Sequence, residues 1–310
     1  MASQAASPND IVNLREEQDR QRKSETVARR AMRRIRHDPL TMTALIFLAI
    51  ITTLVVFAAP ISTHILQVDP ETTNPPMRLL PPGTPGHILG TDDLGRDYAS
   101  RLLFGGQVAI AIGFFGALIT LTIGIVTGLI AGFMGGIVDD IMNWVVTTLD
   151  SIPSIYLLLL LATILQRSPT TLVIVIALTG WTGGMRLVRG QTIALRGLEY
   201  VISAQAMGAT SWRIMFVHIF PNTLSLIFLS LAGSIGGLML SEATLSFLKL
   251  GVQPPTPTWG NMLSNAQQFF SRGPHMATIS GLLIFLVVLA LFVIGDGLRD
   301  AFDPRTVDAA

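Results

Sequence analysis

The sequence predicts an all-α membrane protein, a polytopic bundle of about six transmembrane helices with both ends on the cytoplasmic side. Three observations carry that prediction. Charged residues make up 13% of the 310 residues and apolar ones 50%, whereas a water-soluble domain holds about 25% charged residues. So little charge cannot cover a water-facing fold. Six apolar stretches reach the roughly 20 residues that a helix needs to cross the hydrocarbon core. Basic residues also cluster: 15 of the 21 lie in 1–39, in 186–221 or beyond 297. That asymmetry orients the chain N-in and C-in and calls for an even number of crossings.

Taken in order, residues 1–39 form a cytoplasmic tail. It mixes both charge signs without apolar periodicity, reads as a frayed solvated segment, and lacks the pattern of a cleavable signal peptide. Its last part, Arg29 to Arg36, has a second reading as a basic interfacial helix against anionic lipid. Residues 40–106 hold the first span, 40–59, an uncleaved anchor between Pro39 and Pro60, and an extracytoplasmic segment. The Pro75-Pro76, Pro81-Pro82 and Pro85-Gly86 pairs make that segment an ordered coil over the outer face. Residues 107–296 form a core of five spans, at 107–134, 141–165, 171–187, 222–245 and 277–294. Gly113, Gly116, Gly124, Gly128 and Gly132 suit the second span to close helix packing. Pro153 falls inside the third, either as a simple bend or as a flexing point. A second outer coil covers 248–276, with Pro254-Pro255-Thr256-Pro257. Residues 297–310 are a cytoplasmic tail, and Asp296 just before it with Arg299, Asp300 and Asp303 inside it are spaced for mutual pairing. The absence of cysteine excludes disulfides, thiol catalysis and cysteine metal sites. A net charge of +1 gives no sign of nucleic acid.

The most informative segment is the inner loop 189–221, above all EYVISAQAMGATSWRIMFVHIFPN at 199–222. Good helix formers run from Glu199 to Met207. Gly208 then stands where a helix end needs a left-handed residue, Thr210 caps a second short helix over 211–219 that carries Arg213, and Pro221 fits the first turn of the next span. Small side chains at Ser203, Ala204 and Ala206 leave a surface that a groove could grip. The plainer alternative is two interfacial helices that merely join two spans. Elsewhere, GTDDLGRD places Asp92, Asp93 and Asp97 together. A calcium loop would need alternating oxygen ligands and a distal bidentate Glu, so no metal site is predicted, and Asp97 is assigned as the cap of a short helix 98–104. Glu242 is either a helix-end acid within reach of the outer water or a polar group lining a transport route.

The inner loop resembles the EAA loop of ABC importer permeases. Ala204, Gly208 and Pro221 match its pattern, while Ile202 stands in place of the family's Glu and Ser203 in place of its first Ala. HILGTDDLGRDYASRLLFGG at 87–106, GWTGGMRLVRGQ at 180–191, EATLSFLKLGVQPPTPTWGNML at 242–263 and GDGLRDAFDPR at 295–305 are similar, in the same order, to C-type permeases of dipeptide, oligopeptide and nickel importers. Lys249 replaces a usual Gly, and Trp144 and Thr147 fall where the family tends to place Arg and Asp, with Asp150 nearby.

That resemblance implies a type I importer permease in a bacterial or archaeal cell membrane, forming half of a translocation pathway for di- or oligopeptides. The alternatives are nickel or another small solute. It implies three kinds of partner besides lipid: a second homologous permease, two ABC ATPase subunits, and an extracytoplasmic substrate-binding protein. It places Asp92, Asp93, Arg96, Asp97, Pro254, Pro255 and Trp259 toward that binding protein. No cofactor is expected on this chain, ATP and magnesium belonging to the partner ATPases. No P-loop, HExxH or nucleophile elbow marks an enzyme. An ion-coupled secondary transporter is the runner-up, and it would bury ionisable relays mid-membrane.

Overall fold

The computed structural model describes residues 27–165 and 168–302, so the expectations for residues 1–26 and for Asp303 onward lie outside the described residues. The described chain begins with α1, Val27–His37, and α2, Pro39–Val56. Asp38 alone separates them. Its carboxylate accepts the Leu40 and Thr41 backbone N–H groups at 3.2 Å and the Thr41 hydroxyl, a side-chain N-cap with Pro39 in the first turn. The Thr41 hydroxyl, ahead of these N–H groups, holds the Asp38 carboxyl below its usual range. The frayed-tail reading is thus corrected for 27–37, which is helical and packs on the far end of the last helix.

Helix α3 runs 37 residues, Tyr98–Met134, and absorbs the separate short helix expected at 98–104. Next come α4, Gly136–Asp150, and α5, Ser154–Ile164. The pair is bent by 82°, so the predicted third span is two helices, and Pro153 caps α5 rather than kinking one continuous helix. Helix α6, Pro169–Arg196, leads to α7, Glu199–Ala206. After a short helical stretch at 211–219, α8 follows, Phe220–Phe247. The second outer coil contains a helix that the proline-rich composition hid: α9, Trp259–Gln268, started by a Thr258/Asn261 capping box. Helix α10, Pro274–Phe302, completes the described chain.

Helices α2, α3, α6, α8 and α10 are long and apolar enough to cross a membrane, and the bent pair makes up to six crossings. Packing supports the sixth. A Cβ on Gly124 would come within 2.9 Å of the Met185 nitrogen, one on Gly128 within 2.7 Å of the Met185 carbonyl, and one on Gly132 within 2.7 Å of Thr192. The partners advance in step, so α3 and α6 run parallel, backbone against backbone. Two parallel neighbours require the chain to return between them, and α4–α5 provides the return. Met142 and Val146 pack beside Ala131 and Met185, whereas Leu158 and Leu159 reach the level of Val108 and Leu172.

The other helices fix relative sidedness. Gly236 of α8 lies beside Leu291 of α10, and Gly295 beside Ala232 and Gly233, so this pair is antiparallel. Gly297 meets Thr41 at the start of α2, and Gly106 meets Val55 near its end. Residues 27–41, 132–139, 196–219 and 297–302 therefore share one side. Residues 57–97 and 248–273 cap the other.

Candidate functional site

The loop face is built by α7 and the stretch after it. Helix α7 ends in two interlocking bonds: the Ala209 N–H reaches the Ala204 carbonyl at 3.0 Å and the Gly208 N–H the Gln205 carbonyl at 2.9 Å. That Schellman pattern needs a left-handed residue at the turn, and Gly208 supplies it at φ 82°. The Thr210 hydroxyl accepts the Arg213 N–H at 3.4 Å, and Pro221 enters the first turn of α8. The local grammar read from the sequence is what forms.

The loop is two-faced. Val201, Ala204, Ile214, Met215 and Ile219 are buried against Leu129, Val188 and Ile227 of the spans. Ala204 thus anchors the loop and is corrected as a gripping-surface residue. Glu199, Ser203, Ala206, Gly208 and Arg213 lie exposed, and Met207 is 82% exposed at the tip. Ile202, Trp212 and Val217 add more than half-exposed apolar side chains, and the Trp212 and Phe216 rings stack with centroids 5.6 Å apart. An apolar, helical, solvent-facing knob seated on the ends of three spans can transmit a push from a protein beneath it into the bundle.

Two ion pairs and a hydrogen bond that sequence reasoning missed tie α6 to α3 and α4. Arg189 of α6 forks onto Asp139 of α4 at 2.5 and 2.6 Å, Arg186 meets Asp150 at 2.6 Å, and Arg196 donates to the Gly132 carbonyl at 3.0 Å. The i, i+3 spacing of Arg186 and Arg189 marks one helix stripe. Their carboxylate partners lie beyond the reach of local pattern.

On the opposite side, the acidic motif is a folded core. The Asp92 carboxylate accepts the Leu94 and Arg96 N–H groups at 2.9 Å and the Arg96 guanidinium at 2.7 Å, and it lies 3.4 Å from that of Arg101. Asp97 caps α3 through the Ser100 N–H at 2.7 Å and bonds His87 at 2.9 Å. Trp259 donates to the Leu102 carbonyl at 2.8 Å and Tyr98 to that of Met276 at 2.7 Å. Asp92, Arg96, Asp97 and Trp259 are all under a tenth exposed. The expectation that these four face a binding protein is corrected: their polar atoms are spent within the cap and between it, α3 and α9. Pro254 and Pro255 are exposed and Asp93 half-buried. Burial, then the neighbouring Asp92 charge, push the Asp93 carboxyl up. Among the described residues no group of three His, Asp or Glu side chains could hold a metal.

Glu242 fits neither of its two readings. It is 1% exposed and accepts the Ser246 hydroxyl at 2.7 Å, shut under α9, where a Cβ on Gly260 would press on the neighbouring Ala243 and Ser246. Pro153 is exposed at the α4–α5 break.

A bundle with up to six crossings, an exposed helical loop on one face and a packed polar cap on the other is a multi-pass membrane protein. Residues 124–308 match the family described as binding-protein-dependent transport system inner membrane component, and residues 26–82 match the N-terminal TM domain of oligopeptide transport permease C. The chain belongs to that family of inner-membrane transport components. It is 36% identical over 284 residues, 92% of each chain, to the oligopeptide transport system permease protein OppC of Bacillus subtilis. It is 42% identical over 219 residues to the glutathione transport system permease protein GsiD of Pectobacterium atrosepticum, 71% of this chain and 73% of that one. With the dipeptide transport system permease protein DppC of Haemophilus influenzae it shares 36% identity over 266 residues, 84% and 89% of the two chains.

Proposed function

We propose that this chain is the permease subunit of an ATP-driven importer of peptides, forming half of the translocation pathway with a second, similar permease. The observation that carries the coupling reading is the two-faced loop, whose buried side locks to α3, α6 and α8 while Met207 and its neighbours project outward. Two partner ATPases hydrolyse ATP and press on this face from the cytoplasm. Their motion passes through Val201, Ala204 and Ile214 into the inner ends of the spans. The opposite face receives an extracytoplasmic substrate-binding protein, with Pro254 and Pro255 exposed there. Peptides are the substrate class that the names of the three relatives support.

The test pairs uptake with assembly. Deleting the gene should abolish uptake of labelled di- to pentapeptides, and the wild-type chain should restore it. Met207→Asp should reach the membrane normally yet lose ATPase co-purification and uptake, because the change puts a charge into an apolar contact. Restored uptake of nickel or another small solute without peptides would overturn the substrate class. Full uptake by Met207→Asp would overturn the coupling face.

A further inference from the structure

The sequence of α1, VARRAMRRIRH, holds five arginines in 11 residues and ends on His37, with no acidic residue. At 3.6 residues per turn, positions 29, 30, 33, 34, 36 and 37 fall on one half of the helix. Positions 27, 28, 31, 32 and 35 fall on the other. A helix divided in this way lies in the plane of a membrane surface, with its apolar half at the acyl boundary and its basic half among headgroups.

The fold puts α1 at that depth. A single residue, Asp38, joins it to α2, and Asp38 caps the first turn of that apolar span. Ala31 is 2% exposed, and Arg34 donates to the Asp300 carbonyl of α10 at 3.4 Å, so the helix is pinned to the bundle. Met32 on the apolar half is 54% exposed, and Arg33 and Arg36 on the basic half are exposed too. From these placements we infer that α1 is a membrane-surface helix that selects anionic phospholipid headgroups, with Arg33 and Arg36 on the phosphates and Met32 against acyl chains. The charge complements the phosphate plane beside it, and each arginine near an anionic surface contributes roughly a fivefold preference.

The full chain would be reconstituted in phosphatidylcholine bilayers doped with spin-labelled phosphatidylglycerol or spin-labelled phosphatidylcholine. The immobilised lipid fraction would be read by electron paramagnetic resonance. Phosphatidylglycerol should be immobilised preferentially, and raising the salt should weaken the preference. The double variant Arg33→Gln, Arg36→Gln should lower it by about fivefold or more, while Arg33→Lys, Arg36→Lys keeps most of it. Equal immobilisation of the two lipids by the wild-type chain would overturn the inference. So would a preference untouched by the Gln pair. Unchanged lipid selectivity with weakened ATPase co-purification would overturn it as well and give this face to a protein partner. Because the readout is lipid selectivity in the isolated chain, its failure leaves the transport reading standing.

Discussion

At the scale of single residues, Gly208 isolates a backbone effect from a packing effect. Its φ is +82°, and a Cβ built there meets nothing within 4 Å, so a substitution is penalised by the left-handed conformation alone. For an L-residue that penalty is roughly 1–2 kcal/mol, and a β-branched side chain tolerates it worst. Gly208→Val should distort the Schellman turn, misalign α7 and abolish uptake at normal membrane levels, and Gly208→Ala should be milder. Uptake and ATPase stimulation left intact by Val would show that the loop is a mere connector. Asp92 makes the opposite kind of case, since its carboxylate serves two buried guanidinium groups. Asp92→Ala leaves Arg96 with Asp93 at 4.0 Å and Arg101 with the Pro70 carbonyl at 3.3 Å, and this loss of the central carboxylate should cost up to about 3–5 kcal/mol, seen as a clearly lower melting temperature in detergent and faster proteolysis within 57–97. An unchanged melting temperature would show that those contacts suffice for Arg96 and Arg101. Gly208, Thr210 and Asp97 were legible in the sequence because capping is local. The burial of Asp92, Arg96 and Trp259 was not, because it depends on distant contacts such as Trp259 with Leu102 and Tyr98 with Met276.

At the scale of elements, the glycines of α3 announce close packing but not their partner. The structure pairs Gly124, Gly128 and Gly132 with the α6 backbone near Met185, Arg189 and Thr192. In a membrane such small-residue contacts replace the hydrophobic drive that water would supply. Gly128→Leu should therefore separate α3 from α6, since even one carbon would lie 2.7 Å from the Met185 carbonyl and 2.9 Å from the Val188 Cβ. Reduced membrane levels and a melting temperature lower by several degrees are expected, whereas Gly183→Ala, with nothing within 4 Å, should be neutral. A stable, active Gly128→Leu protein would refute the backbone-to-backbone seam. The bent pair and α9 were the elements least legible from sequence. Hydropathy measures length and apolarity but not direction, so it could not show an 82° turn between α4 and α5. Proline density at 254–257 likewise masked the Thr258 and Asn261 start signal of α9.

For the whole molecule, the helix contacts fix which segments share a side, and the basic residues propose which side that is. Parallel α3 and α6, antiparallel α8 and α10, and the Thr41–Gly297 contact place α1 with the α7 loop, opposite 57–97 and 248–273. From the positive-inside bias we propose that the α1 and α7 side is the cytoplasmic one. The chain carries no cysteine, so single cysteines report without background. Exposed sites are available on both proposed faces: Met207 at 82% on one and Phe270 at 62% on the other, with His37 exposed on the first and Thr73 on the second. In intact cells an impermeant maleimide should label Thr73→Cys and Phe270→Cys, and it should reach His37→Cys and Met207→Cys after permeabilisation. The inverse pattern would reverse the orientation and keep the fold. Labelling of positions 37 and 73 together from outside would break the six-crossing arrangement itself, because α2 stands between them as one uninterrupted 18-residue span.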